Sequence, residues 1–245
     1  MTDDSTPDVV VVGGGLAGLS AGIFTARHDF ETVVIDAGSP ILRRNAHLEN
    51  YPGFPAGVDA RLLLEMVRDQ AAEAGCDLQR GEVTRVADDA EGFVVETADG
   101  GCVSAPYVVL ATKSDPDYLD VDGVETVDRG KVYVATAGGG RTGVEGLYAA
   151  GRLAEKPHQA VVAAGHGAEV GVSILEDDDS PFYHDWVAPD GYFTGRGRDL
   201  PPGCEEIDGA EHREREREVL DAMRSYVAEP HPEEPVQHPS VAEDD

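Results

Sequence analysis

Residues Val9–Gly18 read VVVVGGGLAG, and this stretch decides the fold. Four consecutive β-branched residues predict a strand buried on both faces, as at the centre of a parallel sheet. Gly13-x-Gly15-x-x-Gly18 follows at once, and Leu16–His28 then reads as a helix that opens with small residues where it must approach the strand. Thr32–Ile35 is a second buried strand, ending at the acidic Asp36. A glycine fingerprint alone is a weak signal. Preceded by a strand, followed by a helix and matched to an acid at the end of the next strand, it predicts a dinucleotide site. The glycines expose backbone N–H groups at a helix N-terminus, where unpaired donors and the helix dipole favour a diphosphate without any lysine. Asp36 is expected to accept hydrogen bonds from the adenosine ribose.

Working outward, Ala37–Gly57 is a Gly- and Pro-rich loop ending in Leu48-Glu49-Asn50-Tyr51-Pro52-Gly53. Asp59 is placed to cap an amphipathic helix carrying Leu62, Leu63, Met66 and Val67, which Gly75 closes. From Asp77 to Ser104 short alternating segments (Glu82–Val86, Gly92–Thr97, Gly101–Ser104) with Asp-rich turns predict a β-meander. Tyr107–Ala111 is another buried strand, Asp115–Gly130 an acidic connector without helical period, and Lys131–Ala135 a short strand. Gly146–Gly167 (GLYAAGRLAEKPHQAVVAAGHG) reads as a strand, a glycine turn and a helix over Gln159–Leu175. Gly138-x-Gly140-x-x-Gly143 also fits the fingerprint, but a strand follows it immediately, so it reads as a loop.

Beyond Glu176–Asp179 the composition shifts. Ser180–Pro202 holds the only Trp, Trp186, with Phe182, Tyr183, Tyr192 and Phe193, and is expected to pack on something. Glu211–Val227 has one apolar stripe, as a surface helix would. Glu229–Asp245, rich in Pro and acid, is expected to be disordered.

The chain of 245 residues carries 48 acidic against 19 basic residues, a formal net charge of −29. Its lysines are Lys113, Lys131 and Lys156 alone. A surface this acidic suits solubility in molar salt, where the Debye length shrinks to about 3 Å. It predicts a halophilic, cytoplasmic protein and gives neither nucleic acid nor an anionic membrane the basic footprint they need. No signal peptide or spanning run is read in it. Three scattered cysteines, Cys76, Cys102 and Cys204, have no C-x-x-C spacing and fit a reducing compartment. His231 and His238 lack metal-ligand spacing, so no metal is expected.

The combination of motifs resembles the thioredoxin reductase family of flavoproteins. Glu49-Asn50-Tyr51-Pro52-Gly53 is similar to its E-N-[WY]-P-G segment, Val108-Val109-Leu110-Ala111-Thr112 to its "ATG" strand, and Gly146–Gly151 with His158-Gln159-Ala160 and Ala163–Gly167 to its closing segment. The resemblance covers about residues 8–176 and implies a Rossmann-like α/β FAD-binding domain of three layers: helices, a parallel sheet and a β-meander. The domain would span 1–178, with an extension at 179–228 and the tail from 229. FAD is the implied cofactor, held by Gly13, Gly15, Leu16, Ala17, Gly18, Asp36, Asn50, Val83, Thr112, Gly151, Arg152, Gln159 and Ala160. In this carry-over Asn50 lies against the flavin, Gly151 at its ribityl and diphosphate, and Gln159 and Ala160 at the pyrimidine edge, where a helix N-terminus favours an anionic reduced ring.

The departures matter as much. Arg152 stands where the family has an Asp, Lys113 replaces the glycine of the "ATG" segment, and His158 replaces an Arg. An arginine at 152 suits a diphosphate. About thirty residues separate Thr112 from Gly146, too few for a second nucleotide domain, so 113–145 reads as a short connector in place of the NAD(P)H domain. The expected function is an FAD-dependent oxidoreductase working without a dithiol, with NAD(P)H as an external donor or a small-molecule or protein redox partner. A homodimer is consistent with the resemblance. Of His47, His158 and His166, His158 is the preferred proton-transferring residue. Two other readings are a non-catalytic flavin module that recruits a partner and a thiazole-synthase-like biosynthetic protein. The chain lacks the glycine-rich segment that the latter needs after its second strand.

Overall fold

The computed structural model describes residues 6–114, 116–178, 181 and 184–241. They fall into two compact units, Met1–Ile174 with Glu233–Asp245, and Leu175–Pro232.

In the first unit, β1 (Val9–Val12) leads into α1 (Leu16–Ala26) and β2 (Thr32–Asp36). The helix expected through His28 stops at Ala26 because the chain turns there: Asp29 takes a left-handed φ of 63°, and Phe30 N–H bonds back to the Thr25 carbonyl. A short antiparallel pair, β3 (His47–Leu48) and β4 (Val58–Asp59), closes the long loop and hands directly to α2 (Ala60–Glu73). The Asp59 carboxylate accepts the N–H groups of Arg61 and Leu62 at 2.8 and 3.2 Å, the N-cap read from the sequence.

Then come β5 (Asp77–Arg80), the antiparallel β6 (Val83–Asp89), β7 (Gly92–Thr97) and β8 (Cys102–Ala105), and β9 (Tyr107–Leu110). β5 was expected within the meander. It pairs instead in parallel with β2, as an edge strand whose residues Asp-Leu-Gln-Arg are mostly exposed and carry no apolar run. The connector folds into β10 (Leu119–Asp120), parallel to β6, and the hairpin of β11 (Thr126–Asp128) and β12 (Val132–Val134). A tight turn at Gly138–Gly140 precedes β13 (Leu147–Ala149), and α3 (Ala160–Asp177) follows.

The parallel sheet runs β13-β9-β1-β2-β5. The valines of β1 are fully buried but divide between two cores. Val9 and Val11 point with Leu19, Leu64, Val170 and Ile174 toward α1, α2 and α3. Val10 and Val12 point with Val86, Phe93 and Val95 toward the meander. That is why the run shows no alternation: both faces of the strand are covered. The result is a Rossmann-like α/β domain of three layers, helices, parallel sheet and meander, with the C-terminal ends of β1, β2 and β9 opening on one edge.

The C-terminal unit holds β14 (Trp186–Pro189), parallel to β15 (Cys204–Ile207), and α4 (Gly209–Tyr226), capped by Asp208. Trp186, Tyr192 and Phe193 pack edge-on with centroids 4.8–5.8 Å apart, so these aromatics pack on one another. Phe182 and Tyr183 lie outside the described residues. Along the stripe on α4 and its C-cap, Val219, Leu220 and Val227 are about half exposed.

The tail from 229 differs from the disordered segment expected. Val236 N–H donates to the Arg43 carbonyl at 2.9 Å, and Arg43 pairs with Glu233, so one turn residue anchors it twice. Residues 242–245 lie outside the described part. The boundary between units falls after Ile174, inside α3, rather than near 178. No helix among the described residues is long and apolar enough to cross a membrane.

Candidate functional site

A cavity of about 970 Å³ opens at the C-terminal edge of the parallel sheet, at the upper end of the range usual for ligand sites, roughly 300–1,000 Å³. Its floor is the turn from β1 into α1. A Cβ on Gly18 would lie 1.9 Å from the Gly13 carbonyl oxygen, so only glycine lets the helix start this close to the turn. No side chain caps α1 and no acid stands in its first turn, which leaves its leading N–H groups for an anion.

The structure brings the sequence-selected residues together. Gly13, Gly15, Leu16, Ala17 and Asp36 line one side; Val83 and Thr112 form the wall under the meander. Asn50, Arg152, His158, Gln159 and Ala160 close the other side. Gly18 and Gly151 are not lining residues but stand behind it. Gly151 takes a φ of 63°, and a Cβ there would lie 2.7 Å from that of Ala17. Its turn thereby packs on α1 and carries Arg152 to the cavity.

The two ends of the domain meet directly. Asn50 Nδ2 donates to Gln159 Oε1 at 2.8 Å, joining the long loop to the approach of α3 across 109 residues of sequence. Asp36 is already engaged: Oδ2 accepts from Arg68 Nη1 at 2.8 Å and Oδ1 from Gly38 N–H at 2.9 Å. Carboxylate oxygens retain further lone pairs for a ribose. Arg68 was missed by the sequence reading, since nothing local on α2 marks it. Tyr118 was missed too; its hydroxyl hydrogen-bonds Thr112 Oγ1 at 2.9 Å, and a tyrosine in an otherwise acidic connector was the available signal.

Charge is distributed unevenly. Arg152 has no carboxylate within ion-pair distance among the described residues, so a cation half-buried at the cavity is free for an anionic ligand. The three candidate histidines separate. His47 pairs with Glu49 at 2.7 Å. His158 lines the cavity, and burial first, then Arg152 and Lys131, hold it below the ordinary histidine range. His166 is buried, and its Nδ1 accepts Gly151 N–H at 3.0 Å. No cysteine lines the cavity. Cys76 is buried below α2, and burial pushes its thiol up to about 11.

Uncapped helix amides, the unpaired Arg152 and a long cavity fit a dinucleotide diphosphate. Comparison with known families agrees. The FAD binding domain profile matches residues 8–48, and the pyridine nucleotide-disulphide oxidoreductase profile matches residues 48–167. The thioredoxin reductase of Listeria monocytogenes is 30% identical over 141 residues, 56% of this chain and 44% of that protein. Over residues 8–167 the chain is similar to thioredoxin reductase-like FAD-dependent oxidoreductases. The bifunctional thioredoxin reductase/thioredoxin of Mycobacterium leprae is 33% identical over 135 residues, 54% of this chain and 30% of that protein. The chain spans less than half the length of these curated relatives. A thioredoxin reductase structure from Gloeobacter violaceus superposes with a TM-score of 0.64 at 21% identity, covering 73% of this chain and 99% of that one, which speaks for the fold. The FAD binding domain match indicates FAD as the cofactor.

Proposed function

We propose that the protein is an FAD-dependent oxidoreductase that passes electrons to a small-molecule or protein acceptor without a dithiol relay. The observation carrying this reading is the single cavity walled by both end segments and closed by the Asn50–Gln159 hydrogen bond, with no cysteine among its lining residues. A nucleophilic thiol needs a lowered pKa and access, and the buried Cys76 has neither. Bound FAD would supply the redox chemistry.

The chain's own residues would bind and orient it. The Gly13–Gly18 turn and Arg152 would hold the diphosphate, Asp36 the ribose, and Val83 and Thr112 would wall the space between. Asn50, Gln159 and Ala160 would face the ring. His158, whose pKa is lowered by burial first and then by Arg152 and Lys131, would hold or take up a proton beside the reacting edge. NAD(P)H docking from solution, or a protein donor, would deliver the electrons, and a homodimer is compatible with this arrangement.

Anaerobic addition of NADH and NADPH to the purified flavoprotein tests the reading: bleaching of the oxidised flavin absorbance is expected. One observation favours a second reading, a flavin-binding module that recruits a partner: the apolar positions Val219, Leu220 and Val227 stand open on α4. Flavin that stays oxidised with every donor would favour that reading over the enzyme.

A further inference from the structure

We propose that His166 is a positioning residue that makes retention of the cofactor depend on its own protonation, acting through Gly151. The inference rests on the placement of FAD in the cavity proposed above. His166 is 4% exposed, on the inward face of α3. Its Nδ1 meets the N–H of Gly151 at 3.0 Å. An amide N–H only donates, so Nδ1 must present its lone pair and the ring proton must sit on Nε2. Nε2 itself has no partner among the described residues. The ring therefore does one job, satisfying the amide that begins the turn carrying Arg152 to the cavity.

A second proton would turn this acceptor into a donor. Two N–H groups would face each other in a buried site, and nothing on the Nε2 side would compensate. The turn lies close to α1, since a Cβ at Gly151 would meet that of Ala17 at 2.7 Å. Release of Gly151 would displace Arg152 from the diphosphate. The charged groups around the ring are few. Lys156, just beyond the same turn, opposes protonation, and Glu169 on α3 favours it. From the Gly138–Gly140 turn, which packs against the ring edge, Arg141 directs its guanidinium to Ser173 and the Gly138 carbonyl. Arg152 lines the cavity. Burial is the largest influence and lowers the pKa, so the acceptor is present above the ordinary histidine range and is lost as pH falls through the lowered folded value.

The experiment is an FAD titration of the full chain, read by flavin fluorescence between about pH 5 and about pH 8. It compares wild type with His166→Asn, whose side-chain oxygen can accept the same N–H without titrating, and His166→Leu, which cannot. Wild type should lose affinity about tenfold per unit of pKa difference between free and bound states as pH falls. His166→Asn should bind tightly with a flat profile, and His166→Leu weakly with a flat profile. A flat wild-type profile, a sloping Asn profile, or a Leu variant that binds as tightly as wild type would overturn the inference. Should the Leu variant not fold, the Asn profile decides alone. Wild type that binds no FAD at any pH would overturn the cofactor placement and this inference with it.

Discussion

Two of the three fingerprint glycines should fail in different ways when replaced by alanine. At Gly18 the added Cβ would lie 1.9 Å from the Gly13 carbonyl oxygen and 3.0 Å from Val11 Cγ1. A contact of 3.0 Å is the closest a Cβ tolerates, so the deficit is 3.0 − 1.9 = 1.1 Å, and the obstructing atom is backbone. The turn must move away from α1 by about that much. Strain of this kind costs about 1–3 kcal/mol before any ligand binds. The same movement takes a diphosphate contact from about 3 Å to about 4 Å, beyond hydrogen-bond range. Losing two N–H bonds to a charged phosphate, at about 1.5–3 kcal/mol each, weakens FAD by roughly two to four orders of magnitude.

At Gly15 the nearest atom to an added Cβ is Pro40 Cβ at 4.0 Å, and φ is an ordinary −85°. The flavin-free Gly15→Ala protein should therefore keep its stability within about 1 kcal/mol, a poorer N-cap being offset by a stiffer unfolded chain. Its FAD affinity should still fall, because the methyl group stands where the diphosphate approaches. Thermal melts of flavin-free protein and FAD titrations of each variant separate the two effects. Gly18→Ala with wild-type melting and affinity, or Gly15→Ala as unstable without flavin as Gly18→Ala, would refute the reasoning.

Arg152→Ala should weaken FAD about tenfold to a hundredfold, the worth of one charge-assisted contact, while leaving the melting of flavin-free protein unchanged; equal affinity in an FAD titration would remove it from the diphosphate site. Arg61 is buried, pairs with Asp59 and donates to the Asn45 and Ala46 carbonyls, so Arg61→Leu should cost about 1.5–3 kcal/mol in denaturant melts and loosen the loop that walls the cavity. Glu206 lies at about 2, lowered most by the Thr194 hydroxyl and then by the N–H groups of Phe193, Thr194 and Gly191. Because its folded value is depressed, the contribution to the C-terminal unit is full above about pH 4.5 and disappears as pH falls through about 2. Trp186 fluorescence should follow that transition, and Glu206→Gln should remove the dependence.

The sheet and its first turn were legible because their signals are local. The valines of β1 need covering on both faces, and the Asp59 cap, the meander turns and the closing glycine turn each sit beside the element they define. What escaped was set by contacts distant in sequence. β5 is an exposed edge strand, so its four residues carry no apolar pattern to read. Arg68 meets Asp36 across 32 residues, and Asn50 meets Gln159 across 109. His166 sits among small residues on α3, where the pattern speaks of close packing and not of the amide the ring would find. The tail reads as disordered by composition, yet the backbone carbonyl of Arg43 holds Val236, a contact that composition cannot express.

The connector is where sequence and structure differ with most consequence for function. Read as a spacer, residues 113–145 would only return the chain to the flavin-binding domain. In the structure β10 extends the meander beside Val86, and Tyr118, Leu119, Val121, Val124 and Val144 pack against the core beneath the parallel sheet. The same segment gives the cavity Lys113, Asp117 and Tyr118. A segment that buries this much apolar surface is held in place, so the wall it forms belongs to the resting site. Lys113, His158 and the Asn50 loop are among the exposed parts of the cavity lining. A substitution at Lys113, which carries no proposed contact to FAD, should alter the rate of flavin reduction while sparing FAD affinity, whereas substitutions beneath β10 should alter both.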